Sequence, residues 1–173
     1  MGETSSRTAQ SGLLEGQRWT SDGVWINVGG DRNWRNHNPG NLEDGDFARK
    51  HGAIGSDGRF AIFPDYKTGK KALISLLTEA YRALTVADAI ERFAPSIEND
   101  VPAYTQFISN QCRVSPDTLL SNLSADEQEL LAAAIERFEG GHSGVRYNID
   151  DPGAPESVAQ IQELLRTQST AQG

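Results

Sequence analysis

Eight residues at positions 35–42, RNHNPGNL, carry three side-chain amides and a Pro-Gly turn. An amide offers both a donor and an acceptor, so Asn36, Asn38 and Asn41 suit the hydroxyl and N-acetyl groups of a neutral, sugar-like ligand. Asparagine is equally a turn maker that satisfies nearby backbone groups, and the residue types leave both roles open. Trp34, Tyr66 and Tyr104 offer flat apolar faces to a sugar ring, or else fill the core.

Cleaving a glycosidic bond needs a carboxylic acid held protonated beside apolar surface, usually with a second carboxylate nearby. Glu127 is spent on a helix cap, and Glu129 and Glu136 fall on the solvated side of their helix. Glu139 differs, because it extends the line of Leu131 and Ile135 by four residues into the last turn. The helix dipole and partial desolvation both favour a neutral carboxyl there; the plain alternative is an ordinary helix-end glutamate. Glu15, in the stretch LLEG beside Trp19, is the rival acid, or an exposed loop glutamate. Glu98, in Glu98-Asn99-Asp100, supplies a second carboxylate or a cation ligand, or merely leads into the next helix cap.

His37, His51 and His142 lack the spacing of metal ligands, and the only cysteine, Cys112, joins none of them. Neither a metal nor a cofactor is therefore expected, and Cys112 reads as a buried thiol.

The elements that must position these residues follow from periodicity and turn signals. Residues 24–28 and 59–63 read as short strands bounded by Asp-Gly and Gly-Gly turns, with 33–56 an irregular functional loop between them. From Thr68, residues Ala72, Leu73, Leu76, Leu77, Ala80, Tyr81 and Leu84 mark a helix face. Thr85 caps a second helix that Pro95 stops, Asp100 caps a third, and Ser124-Ala-Asp-Glu127 opens a fourth through Phe138 that Gly140-Gly141 ends. A last amphipathic segment covers 155–165. The chain of 173 residues has the size of one domain. The expected limits are a flexible tail at 1–12, a single domain at 13–166 and a second flexible tail at 167–173.

The net charge of -8 and the sequence pI near 4.8 disfavour a nucleic-acid backbone as partner. No apolar run is long enough to span a bilayer, and no basic-then-apolar leader follows Met1, so no membrane insertion is expected. Such a protein, made in the cytoplasm without a signal peptide, needs another carrier to act in a periplasm or cell wall.

Three motifs in order, RNHNPGNL at 35–42, GRFAIFPDYKTG at 58–69 and FAPSIENDVPAY at 93–104, resemble a bacterial and phage family of virion structural proteins, whose related domains occur as cargo of type VI secretion systems. The same order is similar to the flagellar-type glucosaminidases of the lysozyme superfamily, in which a long helix ending in the catalytic glutamate precedes the Asn-rich turn. Here that helix is missing from the front of the chain, and the helix ending Arg137-Phe-Glu-Gly140, much like that of phage lysozymes, fills the vacancy if the fold is circularly permuted. The resemblance implies a mainly α (α+β), lysozyme-like helical domain with a small β-hairpin. It implies a peptidoglycan glycan-strand hydrolase or lytic transglycosylase, with Glu139 or Glu15 as the acid and a cognate immunity protein as partner. The alternative is a non-catalytic structural or glycan-binding component of a phage or secretion apparatus.

Overall fold

The computed structural model describes residues 9–93 and 100–171. Its first element is a hairpin of β1 (Gln10–Leu14) and β2 (Gln17–Ser21), with Leu14 opposite Gln17 and Gln10 opposite Ser21. The two residues between them, Glu15 and Gly16, both have positive φ, 52° and 80°. That is the backbone of a tight two-residue hairpin turn, and Gly16 adopts it without a Cβ penalty. β3 (Trp25–Val28) follows a turn in which Asp22 Oδ1 accepts from the N–H groups of Val24 and Trp25 at 2.8 and 2.7 Å. A strand from the far end of the chain, β6 (Val145–Asn148), then pairs antiparallel with β3, completing a sheet of order β1-β2-β3-β6.

The sheet needs an apolar cover, and α7 (Glu156–Ala171) supplies it. Its Val158, Ile161 and Leu165 pack on Trp19, Ile26 and Val28, forming an apolar cluster separate from the main core. The fold is thus α+β, with seven α-helices and a small antiparallel sheet among the described residues. The β part is larger than the hairpin expected from sequence. β1 begins inside the stretch expected to be a tail at 1–12, and α7 runs past the expected limit at 166. Gln, Ser and Gly are weak strand formers, so only pairing with β2 reveals β1.

Between the sheet and the helices, the segment expected to be irregular contains α1 (Arg32–Arg35) and α2 (Asp46–Lys50). A two-residue ladder pairs β4 (Gly55–Ser56) with β5 (Ala61–Ile62), the shortened form of the strand expected at 59–63.

The main core is helical. α3 (Tyr66–Ser75) starts where Asp65 Oδ1 accepts from the Thr68 N–H at 2.7 Å, and it continues as a π-helical turn over Leu76–Ala80. Its Gly69 lies so close to the His37 carbonyl that a Cβ would sit 1.8 Å from the oxygen, so only glycine lets the helix approach the Asn-rich turn this closely. α4 (Val86–Phe93) has the Thr85 cap, α5 (Val101–Cys112) the Asp100 cap, and α6 (Ala125–Glu139) the full reciprocal Ser124/Glu127 box. Each cap satisfies N–H groups that the first helical turn leaves without a partner. Phe63, Leu73, Leu77, Ile90, Tyr104, Ile108, Leu131 and Ile135 from these elements are fully buried together.

Candidate active site

The Asn-rich turn is built from the inside out. Asn38, fully buried, donates Nδ2 to the carbonyls of Leu42 and Ala61 at 2.9 Å each and accepts the Leu42 N–H on Oδ1 at 2.9 Å. Asn36, also fully buried, accepts the Thr20 hydroxyl at 2.8 Å and donates to Asp57 Oδ2 at 2.9 Å. Neither side chain can reach a ligand, so the expectation that Asn36 and Asn38 hold sugar gives way to a structural role. Their amides satisfy the backbone and side-chain groups that a tight turn would otherwise bury without partners. His37 is buried beside them, its Nδ1 3.1 Å from the Phe63 carbonyl and its Nε2 3.3 Å from Asn27 Nδ2. Burial pushes its pKa below the usual histidine range.

Asn33 does what sequence reasoning did not foresee. Its Nδ2 donates to the carbonyls of Pro39 and Glu136 at 3.1 and 3.2 Å, and its Oδ1 accepts the Gly141 N–H at 2.8 Å. One amide therefore splices the C-terminal end of α6 to the start of the turn.

That splice brings Glu139, the last residue of α6, against Asn41. Asn41 Nδ2 donates to Glu139 Oε2 at 3.0 Å, and the Tyr104 hydroxyl donates to Oε1 at 3.2 Å. Asn41 holds a left-handed backbone, φ 49°, and its Oδ1 is buried with no hydrogen-bond partner. Amide orientation is set by the surrounding network. Turned over, the same side chain would offer Oδ1 as an acceptor to a protonated carboxyl, so Asn41 can serve either protonation state of Glu139. Tyr104 itself is fully buried, with its ring stacked 3.7 Å from that of Phe138. Burial, and then the charge of Glu139, push its hydroxyl far above the usual tyrosine range, so it stays a donor. It holds the carboxyl from behind and offers no face to a sugar.

Glu139 and Asn41 line a cavity of about 480 Å³, whose other walls include Glu43, Phe47, Arg59, Phe60, Tyr81 and Phe93. Glu43 and Arg59 pair at 3.5 Å, bringing a second carboxylate into the same cavity. Sequence reasoning missed these residues. The isolated bridge between Glu43 and Phe60 has no local signature, and Tyr81 read as one more residue of a helix face. The π-helical turn at Leu76–Ala80 comes just before Tyr81; such turns insert an extra residue and are frequent at functional sites.

Trp34 and Tyr66 do not share this cavity. They line a separate one of about 230 Å³ with His37, Asp65, Glu136 and Arg146, where the Tyr66 hydroxyl donates to Glu136 Oε1 at 2.6 Å. Burial and then Glu136 push the Tyr66 hydroxyl well above its ordinary range. Glu15 occupies the exposed β1-β2 turn and lines neither cavity, and Glu98 lies outside the described residues. Among the described residues, no three His, Cys, Asp or Glu side chains gather as metal ligands, and no helix is long and apolar enough to cross a membrane. Compared with known proteins, the chain matches no family model and no curated protein.

Proposed function

We propose that this chain cleaves the β-1,4-linked glycan strand of peptidoglycan, with Glu139 protonating the glycosidic oxygen. The observation that carries this reading is the meeting of a helix-terminal carboxyl with the amide of Asn41 in the wall of a groove. Asn41 keeps a hydrogen bond to Glu139 before and after proton transfer, Tyr104 fixes the carboxyl's orientation, and Glu43 is the carboxylate available to steady positive charge or activate water. Phe47, Phe60, Tyr81 and Phe93 supply apolar and aromatic surface for sugar rings.

A circularly permuted, lysozyme-like arrangement is part of the same proposal. The Asn33 bonds to Glu136 and Gly141 support it, because they join the helix that ends in glutamate to the turn that follows such a helix in the family resembled. Resemblance to phage and type VI cargo domains makes an antibacterial effector, acting on a target cell's wall and countered by a cognate immunity protein, the context of this activity.

Purified cell walls, followed by turbidity and by mass spectrometry of the released fragments, test the reading. The native chain should clear the suspension and release new sugar ends, reducing ends for hydrolysis or anhydro ends for transglycosylation. Glu139→Gln should lower the rate about 100-fold or more, the usual contribution of a general acid. Equal rates would remove Glu139 from the role. Sedimentation of the native chain with the walls and no new sugar ends would make it a glycan-binding protein instead.

A further inference from the structure

A third cavity, of about 220 Å³, opens where the hairpin meets the Asn-rich turn, and Arg18, Arg32, Arg35 and Asp57 are its charged residues. Three guanidinium groups converging on one hollow are unexpected in a chain of net charge -8. The one acid does not neutralise them. Asp57 Oδ2 takes Arg32 Nε at 2.5 Å and Asn36 Nδ2 at 2.9 Å, and its Oδ1 takes the N–H groups of Arg59 and Phe60 at 3.0 and 2.8 Å. Its acceptor capacity is thus occupied, and one of the three positive charges is met.

Arg35 is only 8% exposed, and its Nη1 donates to the backbone carbonyls of Gly29 and Gly30, at 3.1 and 2.6 Å. Neither Arg35 nor Arg18 has a carboxylate within ion-pair distance among the described residues. Burial, then the charges of Arg18 and Arg32, push the Arg35 guanidinium below its ordinary range, and the charges of Asp57 and Asp31 offset this only in part. Buried charges are normally paired, and a guanidinium fork fits a planar oxyanion through two parallel hydrogen bonds.

The hollow has no lining residue in common with the cavity of Glu139, but the two meet through one contact. The Arg32 guanidinium lies 4.5 Å over the ring of Phe60, which lines that cavity, and Asp57 holds the Phe60 backbone N–H. An anion bound at the arginines therefore sits one aromatic ring away from the groove. Peptidoglycan carries short peptides with free carboxylates on alternate sugars of its glycan strand.

We propose that the hollow formed by Arg18, Arg32 and Arg35 is a carboxylate-binding subsite that takes the acidic stem peptide of peptidoglycan beside the glycan groove. The choice of peptide as carrier rests on the glycan-cleavage reading; the carboxylate chemistry rests on the arginines alone.

Calorimetric titration of the full chain with the free stem tetrapeptide, with the same peptide amidated at every carboxyl, and with inorganic phosphate tests this. The free peptide should bind, and the amidated peptide should bind at least about tenfold more weakly. Arg18→Glu, an exposed change on β2 that should leave the circular dichroism spectrum unaltered, should weaken the free peptide by about the same factor, and Arg18→Lys should restore most of the affinity. Equal affinity for the amidated peptide, undiminished binding by Arg18→Glu, or binding of phosphate without binding of the peptide would each overturn the proposal. The titration needs no bond cleavage, so an inactive chain that binds the peptide through Arg18 would sink the cleavage reading and leave this one standing.

Discussion

Replacing Asp57 by asparagine removes one negative charge from a carboxylate that four donors hold and whose side chain is only 8% exposed. Burial alone would raise its pKa, but the hydrogen bonds from Arg32, the Phe60 N–H, Asn36 and the Arg59 N–H outweigh it and lower the value from 3.8 to about 2. At about 1.4 kcal/mol for each tenfold change in proton affinity, that difference is worth about 2 kcal/mol of folding free energy at neutral pH. Because the folded value lies below the unfolded one, this stability is fully present above about pH 4 and drains away as the pH falls toward 2. Asparagine also turns an NH₂ group toward Arg32 Nε or Asn36 Nδ2, a donor facing a donor, so the loss at pH 7 should reach roughly 2 to 3 kcal/mol. Domains of this kind have only about 5 to 15 kcal/mol in total. Urea denaturation of the native chain and Asp57→Asn at pH 7, 5, 4, 3 and 2.5 measures the gap directly. Other carboxylates titrate in the same window but are common to both proteins, so they cancel in the difference. The gap should shrink by about 2 kcal/mol between pH 5 and the acid end; a gap of constant size across the series would show that Asp57 is not held ionised by these four donors.

Gly69→Ala should cost about 3 kcal/mol or more, because its Cβ would meet the His37 carbonyl at 1.8 Å; a melting temperature close to that of the native chain would contradict this packing. Tyr104→Phe keeps the stack on Phe138 and loses the hydroxyl on Glu139, so stability should fall by only about 1 kcal/mol. On the proposed reading, loss of that donor favours the protonated carboxyl, and the alkaline limb of a glycan-cleavage profile should move to higher pH, which rates measured from pH 5 to 9 would reveal. The thiol of Cys112 is buried, which pushes its pKa up to about 11. A colorimetric thiol reagent at pH 8 should leave the folded protein nearly unlabelled and titrate one thiol once urea is added; rapid native labelling would show an open path to it.

The helices were legible because two local signals agree at each start. Thr85, Asp100 and Ser124 are capping residues followed by apolar positions at helical spacing, and all three cap helices in the structure. The sheet was not, because its strands are defined by partners and not by composition. Val28 pairs with Val145 across most of the chain, and the polar β1 acquires its identity only beside β2. In the site, helix position places Glu139 only at the edge of the apolar stripe, and its meeting with the Asn-rich turn could be anticipated from the resemblance alone. Which asparagine would face it could not. Asn36, Asn38 and Asn41 are chemically identical, and they are sorted by burial, a property of the tertiary packing. The same limit separated Trp34 and Tyr66 from the groove and hid Glu43 and Arg59, whose approach depends on an isolated bridge.

Asn41 and Glu139 are 98 residues apart, and the amide that joins their neighbourhoods spans 103 and 108. A chain emerging from the ribosome thus carries the turn long before the carboxyl exists, and long-range contacts of this kind form late. The groove acquires its acid only once α6 has been made and has docked. On the proposed reading, the polypeptide stays inert until α6 is in place, and a protease cut between the two halves leaves them joined by noncovalent contacts alone.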